Sequence, residues 1–155
     1  MKLVPTEPEH LEILKTWFPD KESARQWAGP ETRYPFTSAA FLEDIRWREM
    51  PAYSMLDEQN QLTGFGQYYE KSGRCHLARL IVAPALRSKG LGHYFIRELM
   101  NIGMSNLGTN ECSLFVIDSN TSAIRCYASL NFVPAAYPPE QPFISNISFM
   151  VYRHS

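Results

Sequence analysis

Residues 75–100 limit the folds open to this chain more than any other stretch. They read CHLARLIVAPALRSKGLGHYFIRELM. Leu77 to Val82 is an apolar run closed by Pro84, with the length and content of a buried strand. A short basic turn follows, holding Arg87, Lys89, Gly90 and Gly92. From Leu91 onward Tyr94, Phe95, Leu99 and Met100 keep helical spacing, so a helix begins where the glycines end. A strand, a glycine turn and a helix start, in that order, suit an anion. The first-turn N–H groups have no intrahelical partners and lie at the positive end of the helix dipole. Glycine at 90 and 92 lets a ligand approach the backbone without meeting a Cβ. Arg87, Ser88, Lys89, Gly90, Leu91, Gly92 and His93 then form a cradle for a pyrophosphate.

Two glycines by themselves also suit a plain turn that closes a strand onto a helix. The turn lacks the Gly-Lys-Ser/Thr ending of the Walker lysine loop and the third glycine of the Rossmann fingerprint. It resembles instead the acetyl-CoA motif of the GNAT N-acetyltransferase superfamily, Val-x-Pro-x-x-Arg-x-x-Gly-x-Gly. Val82, Pro84, Arg87, Gly90 and Gly92 fill every anchor position. A second segment is similar to the same family's Asn-x-x-Ala-x-x-x-Tyr-x-x-x-Gly-Phe. Asn120, Ala123, Tyr127 and Phe132 match it, and Asn131 stands where the family usually has Gly. The resemblance covers residues 52–136 closely and the whole chain more loosely.

That resemblance implies an α/β (α+β) chain with one GNAT domain over residues 1–155. Its sheet would be central, mixed, mostly antiparallel and seven-stranded, splayed between strands 4 and 5 and flanked by about four helices. The implied cofactor is acetyl-CoA, whose acetyl group passes to a primary amine by direct attack in a ternary complex. The backbone of Leu80, Ile81 and Val82 would bind the pantetheine as an added strand, with an N–H near Ile81 facing the thioester oxygen. Asn120 would bind the pantetheine or cap its helix. Tyr127 falls on the family's tyrosine that faces the cofactor sulfur, where a phenol can protonate the leaving thiolate.

The base is less well marked. One branch of the family has a Glu where this chain has Phe115. Another has a Glu four residues before the first pantetheine-binding residue, and that position is His76 here. Imidazole can take a proton from an ammonium near neutral pH. Strand parity groups His76 with Ala78, Leu80 and Val82. Glu70 is the alternate base. On the acceptor side the family resemblance points to the aromatic loop, with Trp27, Arg33, Tyr34 and Phe36 as substrate contacts. Arg79 would read a carboxylate on the acceptor or be paired within the chain.

Outside these motifs the chain bounds what it can do. It has 155 residues, 45% hydrophobic and 20% charged, which suits one globular unit with a sizeable core. A net charge of −1 argues against nucleic-acid binding driven by bulk electrostatics. No apolar run reaches the roughly 18 residues of a membrane span. Cys75, Cys112 and Cys126 lack metal-ligand spacing and read as reduced core thiols of a cytoplasmic protein; no metal is expected. The patterning predicts strands over 1–4, 52–56, 62–70, 75–82, 111–117, 132–136 and 143–152. It predicts helices from Pro8, over 23–27, from Thr37 or Ser38 through Met50, from Leu91 to Gly103 or Gly108, and over 121–130. The partner is a small-molecule or peptide amine, and the apolar last strand offers an edge to a second copy as a homodimer. A catalytically silent acyl-CoA sensor that regulates a protein partner is the alternative, since it needs the cradle but neither base nor acceptor pocket.

Overall fold

The computed structural model describes residues 1–87 and 89–154. Seven strands form one sheet: β1 (Lys2–Pro5), β2 (Ala52–Leu56), β3 (Leu62–Lys71), β4 (Arg74–Val82), β5 (Cys112–Ile117), β6 (Phe132–Ala135) and β7 (Ile147–Tyr152). Their spatial order is β1-β2-β3-β4-β5-β7-β6. Only β4 and β5 run parallel, and every other neighbouring pair is antiparallel. Among the described residues five α-helices flank the sheet, in line with the expected count of about four: α1 (Pro8–Lys15), α2 (Lys21–Ala28), α3 (Ser38–Asp44), α4 (Leu91–Leu107) and α5 (Thr121–Ser129). Parallel pairing needs a crossover, and α4 supplies it.

The helices divide between the two faces. Phe95, Leu99 and Met100 of α4 and Tyr127 of α5 bury against Leu77, Leu114, Val116 and Met150. On the other face Leu11, Leu14, Ala24 and Phe41 of α1–α3 bury against Leu56, Leu62 and Phe65. Phe65 belongs to one cluster and Tyr68 to the other, as strand alternation requires of residues an odd number apart. Each fully buried large side chain contributes about 1.5–3 kcal/mol.

Two elements are shorter than the sequence pattern predicts. α3 stops at Asp44 instead of running to Met50. A longer helix would use the Asp44 and Ile45 carbonyls for its own ladder. Arg79 Nη2 donates to Asp44 O at 2.9 Å and Gln67 Nε2 to Ile45 O at 2.8 Å instead. Arg46 then turns at φ 55°. β7 starts at Ile147, not at residue 143, because the Tyr137 hydroxyl donates to the carbonyls of Ile144 and Ile147 and holds the preceding loop in a bend. β7 also lies between β5 and β6, so it has no free edge for a second copy. The expected pairing through that strand is therefore excluded.

The central feature is the parting of β4 from β5. Their pairing covers only Cys75↔Cys112, His76↔Ser113 and Leu77↔Leu114. β4 continues to Val82 and β5 to Ile117 without further contact in register. β4 is also irregular just past the parting point. Phe65 pairs with Ile81, but Gln67 pairs with Ala78, so Gly66 faces both Arg79 and Leu80. That is a β-bulge, and Arg79 adopts φ 51° within it. The extra residue breaks the parity read from the sequence. His76 packs among rings of β5 and β7 on one face, whereas Leu80 packs with the α4 core on the other.

Gly103 lies where α4 crosses β4 most closely. A Cβ there would collide with Cys75 Sγ and lie 3.1 Å from the Tyr68 ring. Helix propensity alone would make Gly103→Ala stabilising by up to about 1 kcal/mol. The expected result is the reverse, a loss of about 1–3 kcal/mol through overpacking, measured by urea unfolding.

Candidate active site

The N-terminus of α4 stands at the mouth of the β4–β5 gap. Pro84 stops β4 and starts a 3-10 turn, Pro84–Leu86, that turns the chain toward α4. Gly90 precedes α4 at φ 78°, a left-handed conformation that glycine adopts without strain. Asp20, Thr37 and Asn120 cap α2, α3 and α5 with their side chains, but Gly90 has none to give α4. The first turn of α4 also carries no acid. Its N–H groups therefore remain available to an anion. A Cβ at Gly92 would meet Cys126 Sγ at 3.7 Å and Val82 at 3.9 Å, both ordinary contacts. The protein itself does not require glycine there, whereas a ligand on the helix end would.

Charge gathers at the same place. Arg87 and Lys89 are exposed, and Arg87 Nε donates to Val82 O at 3.2 Å. His93 sits in the first turn with Nδ1 2.9 Å from Ser129 Oγ. Leu91 packs against the core and anchors the helix start. Ser88, the remaining cradle position, lies outside the described residues.

Backbone alternation fixes which amides face the gap. Ala83 N–H donates to Thr63 O at 2.9 Å, so those two residues form a bonded pair. Two residues on, Ile81 opposite Phe65 is also a bonded pair, and its polar groups point at β3. Leu80 and Val82 address the open side instead. The sequence expectation named an N–H near Ile81, and these two residues flank it. The Arg87 bond to Val82 O agrees with that direction.

A family model described as Acetyltransferase (GNAT) family matches residues 21–132. The chain belongs to that family. Among solved structures, a spermidine N-acetyltransferase from Vibrio cholerae in complex with CoA and spermine is 18% identical, with a TM-score of 0.73, covering 97% of this chain and 93% of that one. A protein provisionally named phosphinothricin N-acetyltransferase is 17% identical, with a TM-score of 0.70, covering 99% of this chain and 98% of that one. At this identity the likeness is one of fold, and it extends along nearly the full length of each. GNAT membership brings acetyl-CoA as acyl donor. The residues fit it: an uncapped cationic helix end, glycine space at 92, and an unpaired stretch of β4 edge.

Tyr127, on the α4–α5 face, is 9% exposed and packs edge-on to Phe132. Burial, with the neighbouring Cys126 thiol, raises its phenol well above the usual range. A phenol is protonated at neutral pH in any case, and burial makes this one a weaker proton donor than a free tyrosine. Asn120 Oδ1 accepts from Ala123 N–H at 3.3 Å and from the Ser122 hydroxyl, the cap form of its two expected roles.

The opposite face carries the other candidates. His76 is 3% exposed, with Nδ1 2.8 Å from Ser113 Oγ and its ring stacked on Phe149 and edge-on to Tyr69 and Phe115. Burial, aided by the Lys71 charge, lowers its pKa to about 4. Arg79 is engaged by the protein: Nη1 donates to Gln67 Oε1 at 3.1 Å and Nη2 to Asp44 O. Trp27 donates its indole N–H to Arg79 O at 2.9 Å and packs against Phe18 and Phe41. Tyr34 donates to Phe18 O at 3.1 Å, and Phe36 sits against Phe18, Tyr34 and Phe41. Arg33 is paired with Asp44 and Glu43. Glu70 pairs with Cys75 and so lies on the α4 face rather than this one, where it is exposed and accepts from Gly73 N–H at 2.9 Å. Sequence reasoning missed Gln67, fully buried and bonded to both Arg79 and Ile45. Its signal was a lone amide between apolar strand neighbours.

The lowered pKa of His76 has a definite consequence for stability. Above pH 6.5 the ring is neutral whether folded or unfolded and has no effect. Between 6.5 and about 4 only the unfolded chain takes the proton, so stability falls as pH drops through that window. The expected loss by pH 4 is on the order of 3 kcal/mol relative to neutral pH. Urea unfolding of wild type and His76→Gln at pH 7 and pH 4.5 checks it, since the variant should show a smaller drop.

Proposed function

We propose that this chain transfers the acetyl group of acetyl-CoA to a primary amine of a small molecule or peptide by direct attack in a ternary complex, with residues 1–155 acting as one unit. The observation that carries the reading is the β4–β5 gap, with the cationic α4 end and the Tyr127 phenol on one face and His76 on the other. When bound, acetyl-CoA supplies an activated thioester carbonyl. Arg87, Lys89 and the first-turn amides of α4 hold the diphosphate. Gap-facing backbone groups of Leu80 and Val82 would hold the pantetheine, and the Leu80 N–H would stabilise charge growing on the carbonyl oxygen.

With acetyl-CoA bound, these groups would serve attack of the amine nitrogen on the thioester carbonyl carbon, with the CoA thiolate as leaving group. Tyr127, whose phenol is protonated at neutral pH, would give its proton to the departing sulfur. His76 is too weak a base to take a proton from a free ammonium. It accepts one through its second ring nitrogen only after the new C–N bond has made the nitrogen acidic. The amine itself enters uncharged, favoured by the apolar rings of Tyr69, Phe115 and Phe149.

Two measurements test the reading. Tyr127→Phe should lower kcat about 100-fold and leave CoA affinity unchanged; equal loss of both, or neither, removes the acid role. Gly92→Glu should abolish CoA binding in calorimetry by filling the cradle with bulk and negative charge, and unchanged binding would refute the cradle.

A further inference from the structure

The bulge in β4 is held by groups from α2, the end of α3 and the neighbouring strand β3. Arg79 occupies the left-handed region at φ 51°, which costs a non-glycine residue on the order of 1 kcal/mol or more and persists only where its surroundings impose it. Three groups impose it. Trp27 Nε1 donates to Arg79 O at 2.9 Å. The Arg79 guanidinium donates to Gln67 and to Asp44 O. Across the bulge, Gly66 has no room for a side chain, since a Cβ would lie 2.8–3.1 Å from Leu99, Leu80 and Phe95.

Arg79 C=O and Leu80 N–H belong to one peptide plane. In a trans peptide they point in opposite directions and turn together. Trp27 grips the carbonyl from the α2 side. The Leu80 N–H must then point away from α2, toward the side of the gap that carries α4 and the cradle. A hydrogen bond accepted by a peptide oxygen also polarises the unit and strengthens its N–H as a donor. Phe18 and Phe41 fix the indole in turn, with ring centroids 4.6 and 6.1 Å away.

We propose that Trp27 is a positioning residue for the reaction: its indole N–H sets the Arg79–Leu80 peptide so that the Leu80 amide serves as oxyanion donor. This rests on the acetyl-transfer reading above and adds to it the group that aims the donor. It also assigns a role to a side chain that touches neither cofactor nor amine.

The test replaces only the N–H. Substituting 3-benzothienylalanine at position 27 keeps the fused ring and its packing but deletes the donor, and 5-fluorotryptophan at the same position keeps it. The benzothienyl protein should lose about tenfold or more in kcat, since removing an oxyanion donor outright costs about 100- to 1,000-fold. Its KM for acetyl-CoA should change less than about twofold, because the binding groups are untouched. The fluorotryptophan protein should retain the wild-type kcat. Trp27→Phe provides a second comparison, with melting temperatures measured for all variants. A benzothienyl protein as fast as wild type, or a kcat loss matched by an equal rise in KM, overturns this inference alone. A wild type that binds CoA but releases no free thiol with any amine in a panel overturns the acetyl-transfer reading, and this inference with it.

Discussion

One extra residue in β4 governs the rest of the site. Without the bulge at Arg79, regular alternation would hold the backbone from His76 to Val82 in a single register against β3. With it, the strand presents His76 to one face and, five residues later, Ile81 to the same face, an odd separation that a regular strand forbids. The irregularity falls two residues past the last β4–β5 pair at Leu77. Parting and bulge thus occur together, and the backbone beyond them is open to a ligand on one side while β3 still supports it on the other.

The polar groups around this irregularity form a connected set. Gln67 is completely buried, which is costly for an amide unless both ends are bonded. Its oxygen accepts from Arg79 and its nitrogen donates to Ile45 O. Arg79 also reaches Asp44 O, so the carbonyls at the end of α3 serve the sheet and not the helix. Arg79 Nε is buried without a partner among the described residues. The charge of Asp44 reaches the guanidinium, but among the described residues the direct partner of that carboxylate is Arg33. A cation this enclosed and this strained is tolerated because it fixes the shape of β4.

Much of this was legible in the residues. Val82, Pro84, Arg87, Gly90 and Gly92 announce a strand, a turn and a helix start through chain-local chemistry, and local chemistry survives folding. Asn120 reads as a helix cap for the same reason. What escaped depends on tertiary contacts. Parity counting along β4 fails at Arg79, since nothing in an arginine signals positive φ. The length of α3 was overestimated because its carbonyls are captured by side chains 22 and 35 positions away, Gln67 and Arg79. His76 suited a base by counting. Four neighbouring aromatic or hydroxyl side chains on two other strands and β3 itself determine its proton affinity, and no spacing rule reports them. Trp27 looked like a wall of a pocket. Its ring faces apolar neighbours, and its one polar atom addresses the main chain.

The sheet's order bears on how a nascent chain completes itself. β6 is made before β7, yet β7 is the strand that joins β6 to β5. While synthesis has reached only β6, that strand has no neighbour to pair with, and β5 carries a bare row of amides and carbonyls along one side. The half of the sheet that includes β5 cannot close until β7 has left the ribosome and slotted between β5 and β6. Assembly of the β4–β5 gap is thereby tied to β7, and a chain without that strand would expose an adhesive border along β5.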